Sequence, residues 1–138
     1  MSGVVLDASM AISWFLNDEH SEGLPALQNL VAAAGALVPR LWRLEMANVV
    51  LMAEKRNRID RASADRIARA IGVMPVVEDD ADVPIERLID ICRTHDLTSY
   101  DATYLELALR RMLPLASLDA KLARAARISG VDVLRAQA

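Results

Sequence analysis

Four carboxylates occupy positions where an acid could do chemistry. Asp7 ends the apolar run Val4-Val5-Leu6 and stands just ahead of a stretch with helical character, Ala8 to Leu16. Asp119 repeats that arrangement after the run from Leu113 to Ala116 and the Ser117-Leu118 pair. Asp101 lies three residues after Thr98, at the start of a helical segment that continues to Arg111. Taken singly, Asp7 and Asp119 are good helix N-caps, and Thr98 with Asp101 makes a capping box. Glu45 is less easily explained. From Leu44 to Ala53 only Glu45 and Asn48 are polar, and the two share one helical face with Trp42, Val49 and Met52 nearby. A helix apolar on nearly every side is expected to be buried in a core or an interface. A carboxylate there needs an arginine partner, a cation or a water-filled cleft to offset its desolvation.

Taken together, the four acids suggest a cation site. Acids that follow parallel strands converge on one sheet edge, where they repel unless a proton or a divalent ion intervenes. An all-oxygen ligand set suits Mg²⁺ or Mn²⁺ better than zinc. The matching chemistry is phosphodiester hydrolysis, in which the metal polarises the phosphoryl oxygen and delivers hydroxide. Other chemistries find less support. His20 and His95 have no nucleophile–base set around them, and Ser9 lacks a Gly-x-Ser-x-Gly elbow. The five glycines are scattered and form no phosphate loop. A Mg²⁺-dependent phosphatase or phosphotransferase with an aspartyl nucleophile would want a second acid two residues after Asp7, where Ser9 stands. The single cysteine, Cys92, excludes an internal disulfide and reads as a small buried hydrophobe; with two histidines it cannot complete a structural zinc site.

The elements that must position these acids follow from short β-type runs alternating with longer helical ones. Val4–Leu6, Ala36–Val38, Val76–Val77, Leu113–Ala116 and Val131–Leu134 read as strands, several bounded by Pro39, Pro75, Pro114 or Gly130. Ile85, Leu88, Ile89 and Cys92 have helical spacing, with Pro84 suited to that helix's first turn. Ala102, Leu105, Leu109 and Met112 mark a second helix, and Leu122, Ala123 and Ala126 a third. The alternation implies an α/β fold with a parallel sheet between helices, in one domain spanning 1–138. Ligands in such sheets bind beyond the carboxyl ends of the strands, where the strand order reverses.

The net charge of −3 argues against binding nucleic acid by bulk electrostatics. Residues 40–69 nevertheless carry eight cationic side chains against four acids, as a solvated helical face or as a flank for a phosphodiester substrate. Hydrophobic residues make up 54%, yet no uninterrupted apolar run reaches the ~18 residues of a membrane span. With no signal-type N-terminus, the chain reads as cytoplasmic.

Four motifs carry a family resemblance: Val-Val-Leu-Asp7-Ala-Ser9, Leu44-Glu45-Met-Ala-Asn48, Leu97-Thr-Ser-Tyr-Asp101-Ala-Thr-Tyr-Leu105 and Pro114-Leu-Ala-Ser117-Leu-Asp119. In order and spacing they resemble those of PIN-domain ribonucleases, and of VapC-type toxins from bacterial toxin–antitoxin modules in particular. The resemblance covers essentially the whole chain. It implies a three-layer α/β/α sandwich and a Mg²⁺-dependent endoribonuclease, with Mn²⁺ able to substitute. Asp7 and Asp101 would be the principal metal ligands, and Glu45 and Asp119 would complete the acidic cluster. Ser9, Asn48 and Ser117 would be supporting residues; Ser117 stands where many relatives have Thr. The implied partners are RNA, a VapB-type antitoxin whose C-terminal segment lies in the active-site groove, and a second copy of the chain. A PIN-like interaction module without cleavage is the alternative of a different class, and the retention of all four acids speaks against it.

Overall fold

A computed structural model describes residues 3–16 and 24–134. His20 therefore lies outside the described residues. In chain order the elements are β1 (Val4–Leu6), α1 (Ala8–Leu16), α2 (Leu24–Ala34), β2 (Ala36–Val38), α3 (Leu41–Lys55) and α4 (Arg61–Gly72). They continue with β3 (Val76–Glu78), α5 (Ile85–His95), α6 (Ser99–Arg111), β4 (Leu115–Ala116), α7 (Ala120–Ile128) and β5 (Val133–Leu134). All five strands are parallel, in the order β3-β2-β1-β4-β5.

The topology locates the functional edge. From β1 the chain steps outward to β2 and β3, then crosses back beside β1 to form β4 and continues to β5. Right-handed crossovers put α1–α4 on one face of the sheet and α5–α7 on the other, which makes the three-layer sandwich. Packing agrees: α3 touches α1 and α4, while α6 touches α5 and α7. The order reverses between β1 and β4, so the crevice beyond their carboxyl ends is the switch point. Asp7, Ser117 and Asp119 leave the sheet there.

The central strands read as continuous apolar runs because both faces are covered. Val4, Val5, Leu6, Val38, Leu115 and Ala116 have no exposed surface, and Trp42, Met46, Leu105, Leu107 and Leu122 close over them from the helices. Gly35 joins α2 to β2 at φ 78°, and a Cβ there would press on the Pro75 carbonyl at 3.3 Å.

Three expectations need correction. Pro84 is the N-cap of α5, one residue ahead of its first turn. Cys92 is half-buried, packed against the edge of the core. The helix carrying Glu45 is not buried all round: Trp42, Met46, Val50 and Ala53 are, whereas Leu44 is 74% and Leu51 46% exposed. Of the two environments expected for that helix, the core takes one face and leaves the other open.

Candidate active site

Asp7 sits where β1 gives way to α1, its backbone N–H paired with the Ala116 carbonyl of β4 at 2.9 Å. Only 5% exposed, it is one of two charged residues buried among the described residues. Its Oδ2 accepts two hydroxyl hydrogen bonds, from Ser9 at 2.6 Å and Ser117 at 2.7 Å. Those serines are held in place themselves. Leu118 donates its N–H to Ser9 Oγ and Asp119 its N–H to Ser117 Oγ, each at 3.0 Å. Ser9 therefore points its hydroxyl at Asp7 as a donor and stands in place of the acid an aspartyl phosphatase would require.

Asp119 caps α7. Its Oδ1 accepts the N–H groups of Lys121 and Leu122 at 2.9 and 3.0 Å. Asp101 is the third residue of α6, with its N–H bonded to the Thr98 hydroxyl that caps that helix. The cap anticipated for Asp119 thus exists, and of the Thr98–Asp101 capping box the Thr98 half is formed. Glu45 reaches in from α3, and its partner is the hydroxyl of Tyr104 on α6, donating to Oε1 at 2.5 Å. No arginine pairs with Glu45 among the described residues. Asn48 stands exposed on α3, outside these hydrogen bonds.

The electrostatics tie the acids together. Burial pushes the Asp7 carboxyl above its ordinary range against the two serine hydroxyls, and the charge of Asp119 adds to the rise. Asp101 is raised by burial, then by the charges of Asp119 and Asp7. Glu45 is raised by burial, which outweighs the Tyr104 hydrogen bond, with Asp7 and Asp101 adding to the shift. Each of the four acids therefore acts on at least one other through space, although they come from four separate places in the sequence. Carboxylates gathered at this cost are a mark of a functional site.

The donor set fits a hard divalent cation, being all oxygen and short of positive charge. Among the described residues no three acids stand close enough to hold one ion as they are. That still suits Mg²⁺, which keeps several waters and is usually held through one or two carboxylates.

Two residues near the cluster were missed in the sequence. Tyr104 reads as one more apolar helical position, because its hydroxyl becomes significant only once α3 is seen opposite α6. Lys121, ion-paired with Asp96 at 3.0 Å, lowers Asp101 slightly by its charge. The basic stretch from Arg40 to Arg69 is partly spoken for. Arg40 donates to the Asp80 carbonyl and Arg43 pairs with Glu78, while Arg61 and Arg69 lie exposed.

A family model for the PIN domain matches residues 4–128. Among solved structures, the chain is similar to PAE2754 from Pyrobaculum aerophilum at 20% identity, over 96% of this chain and 90% of that one, with a TM-score of 0.71. It is also similar to FitAcB from Neisseria gonorrhoeae at 15% identity, over 95% of this chain and 96% of that one, with a TM-score of 0.67. No curated protein matches the sequence. At these identities the likeness to solved structures speaks for the fold.

Proposed function

The chain belongs to the PIN domain family, and on that premise we propose that it is a Mg²⁺-dependent endoribonuclease, the VapC-type toxin of a toxin–antitoxin pair. The observation that carries the reading is the buried Asp7, held by Ser9 and Ser117 and facing Asp101, Asp119 and Glu45 at the switch point of the sheet.

Asp7 and Asp101 would hold the metal, with Glu45 and Asp119 completing the cluster. Bound there, Mg²⁺ would polarise the phosphoryl oxygen and make water a competent nucleophile near neutral pH. Ser9 and Ser117 fix the Asp7 carboxylate, so the ligand does not have to be ordered when metal and substrate arrive. Asp119 and Asp101 are held by the first turns of α7 and α6, whose positive ends also suit a phosphate group. The side chain of His95 bonds with Ser129 and with none of the four acids, so no described histidine is placed to drive attack by the ribose 2′-hydroxyl.

Two partners belong to the same proposal. The exposed Leu44 and Leu51 lie along α3 beside an apolar groove of about 310 Å³ shared with α4, and this surface suits a two-fold homodimer. A VapB-type antitoxin would lay its C-terminal segment over the acids and place an Arg or Lys among them. No helix among the described residues is long and apolar enough to cross a membrane.

The test uses the protein purified without antitoxin, incubated with single-stranded RNA. Cleavage in Mg²⁺ or Mn²⁺, abolished by EDTA and leaving 5′-phosphate and 3′-hydroxyl ends, is the expected result. Asp7→Asn and Asp101→Asn should each lose at least ~100-fold in rate. Products ending in 2′,3′-cyclic phosphate would overturn the mechanism, and metal-independent inertness would make the chain an interaction module.

A further inference from the structure

Resting on that reading, we propose that Tyr104 is a positioning residue of the active site, setting which oxygen of Glu45 faces the cation and substrate. Glu45 has three side-chain torsions where the other three acids have two, so it has the most freedom to lose. Asp7 is held by Ser9 and Ser117 and Asp119 by backbone N–H groups of its own helix, while Asp101 follows the Thr98 cap that takes its backbone N–H. Glu45 is fixed by a hydroxyl that reaches it from the opposite helical layer.

The geometry of that hydroxyl is tightly set. Tyr104 has no exposed surface and its ring is packed into the core, so its oxygen has one place to be. It donates to Glu45 Oε1. The phenol therefore ties α6 directly to the acid on α3. With Oε1 taken by the phenol, Oε2 remains for whatever enters the cluster.

A double-mutant cycle tests this, with Mg²⁺ affinity from calorimetry as one readout and RNA cleavage as the other. Tyr104→Phe keeps the ring and removes only the hydroxyl. In the wild-type background it should weaken Mg²⁺ binding or slow cleavage by about 10–100-fold, the size of effect seen when a ligand loses its orienting partner. In a Glu45→Ala background the same change should alter neither readout by more than about two-fold, because the group it acts through is gone. Glu45→Asp offers a second route should Tyr104→Phe fold poorly. One methylene shorter, it keeps the charge but cannot meet the phenol, and it should show a loss similar to that of Tyr104→Phe. Equal losses in both backgrounds would mean that Tyr104 acts through packing, and that result overturns the proposal. So does a Tyr104→Phe protein that matches a wild type which binds metal and cleaves. A wild type that neither binds Mg²⁺ nor cleaves RNA brings down the nuclease reading and this one with it.

Discussion

Replacing Asp7 with Asn should make the metal-free protein more stable while abolishing its activity. The ionised carboxylate is 5% exposed and raised by burial, so the folded state carries a desolvation cost that the unfolded chain does not. For one buried ion that cost is several kcal/mol. Two hydroxyl donors offset part of it, each worth about 1.5–3 kcal/mol to a charged acceptor and about 1 kcal/mol to a neutral one. Asn keeps both as neutral hydrogen bonds, since its carbonyl oxygen can stand where Oδ2 now does. Removing the charge then leaves a net gain of about 1–3 kcal/mol. With 138 residues at about 2.1 cal/mol/K each, 1 kcal/mol moves Tm by about 3.4 °C, so the expected rise is about 3–10 °C. The assay is thermal unfolding in EDTA and again in Mg²⁺. At a hundred times its Kd, Mg²⁺ should stabilise wild type by about 2.7 kcal/mol and leave Asp7→Asn nearly unmoved. Asp119→Ala provides the contrast, because it removes a cap that accepts two backbone N–H groups and should cost about 0.5–2 kcal/mol. An Asp7→Asn protein that melts at or below wild type in EDTA would refute the reasoning.

Three further outcomes follow from the same structure. The folded-state pKa values of Asp7, Glu45 and Asp101 lie above their ordinary 3.8 and 4.5, so their contribution is fully present below those values and is lost as pH rises through the raised ones. Asp79, lowered by Arg110, contributes stability in the opposite direction, lost as pH falls below 3.8. The metal-free Tm should therefore fall as pH rises above those ordinary values; a flat or rising curve in EDTA would contradict the cluster. Arg110→Ala leaves the side chain of Glu106, 6% exposed, without its cation and that of Asp79, 9% exposed, with only Arg111 at 3.5 Å, and should cost about 2–4 kcal/mol in denaturant unfolding. Met112 closes α6 at φ 55° with 87% of its surface exposed, so Met112→Gly should relieve left-handed strain and gain up to about 1 kcal/mol of stability.

The first two strands match the sequence reading residue for residue because both are apolar triplets buried on two faces. β4 and β5 begin two residues later than their apolar runs, for one reason. Leu113 gives its N–H to the Ala108 carbonyl and Val131 gives its own to Ala126, so each run's first residues close the preceding helix before pairing begins. Helix α4 was legible only as a basic stretch, although its apolar and charged residues segregate onto opposite faces, and α2 left no mark because its alanine-rich segment lacks a sharp apolar period. Within the site, the three aspartates were legible from their place after strands or at a helix start. Glu45 was legible from the apolar helix it interrupts. Its partner was not, since a tyrosine at helical spacing looks like core until the opposite helix is in place.

Helix capping and metal binding are rival accounts of Asp7, Asp101 and Asp119 on the sequence, yet the proposed ligand set draws on the same helix starts. In a parallel α/β fold the helix that follows a strand starts at that strand's carboxyl end, so the positive ends of α1 and α7 meet at the switch point. The N-terminus of α6 opens toward the same edge, as the mutual effect of Asp101 with Asp7 and Asp119 requires. Short carboxylates are favoured at each of these ends separately, and the topology brings them together whatever their other role. Acids at three helix starts alone would be a surface curiosity. What turns them into a site is burial of Asp7 beneath two serines and the intrusion of Glu45, which caps nothing and arrives from the opposite layer on the hydroxyl of Tyr104. Those two features cost stability, and the Asp7 and Tyr104 substitutions are aimed at them for that reason.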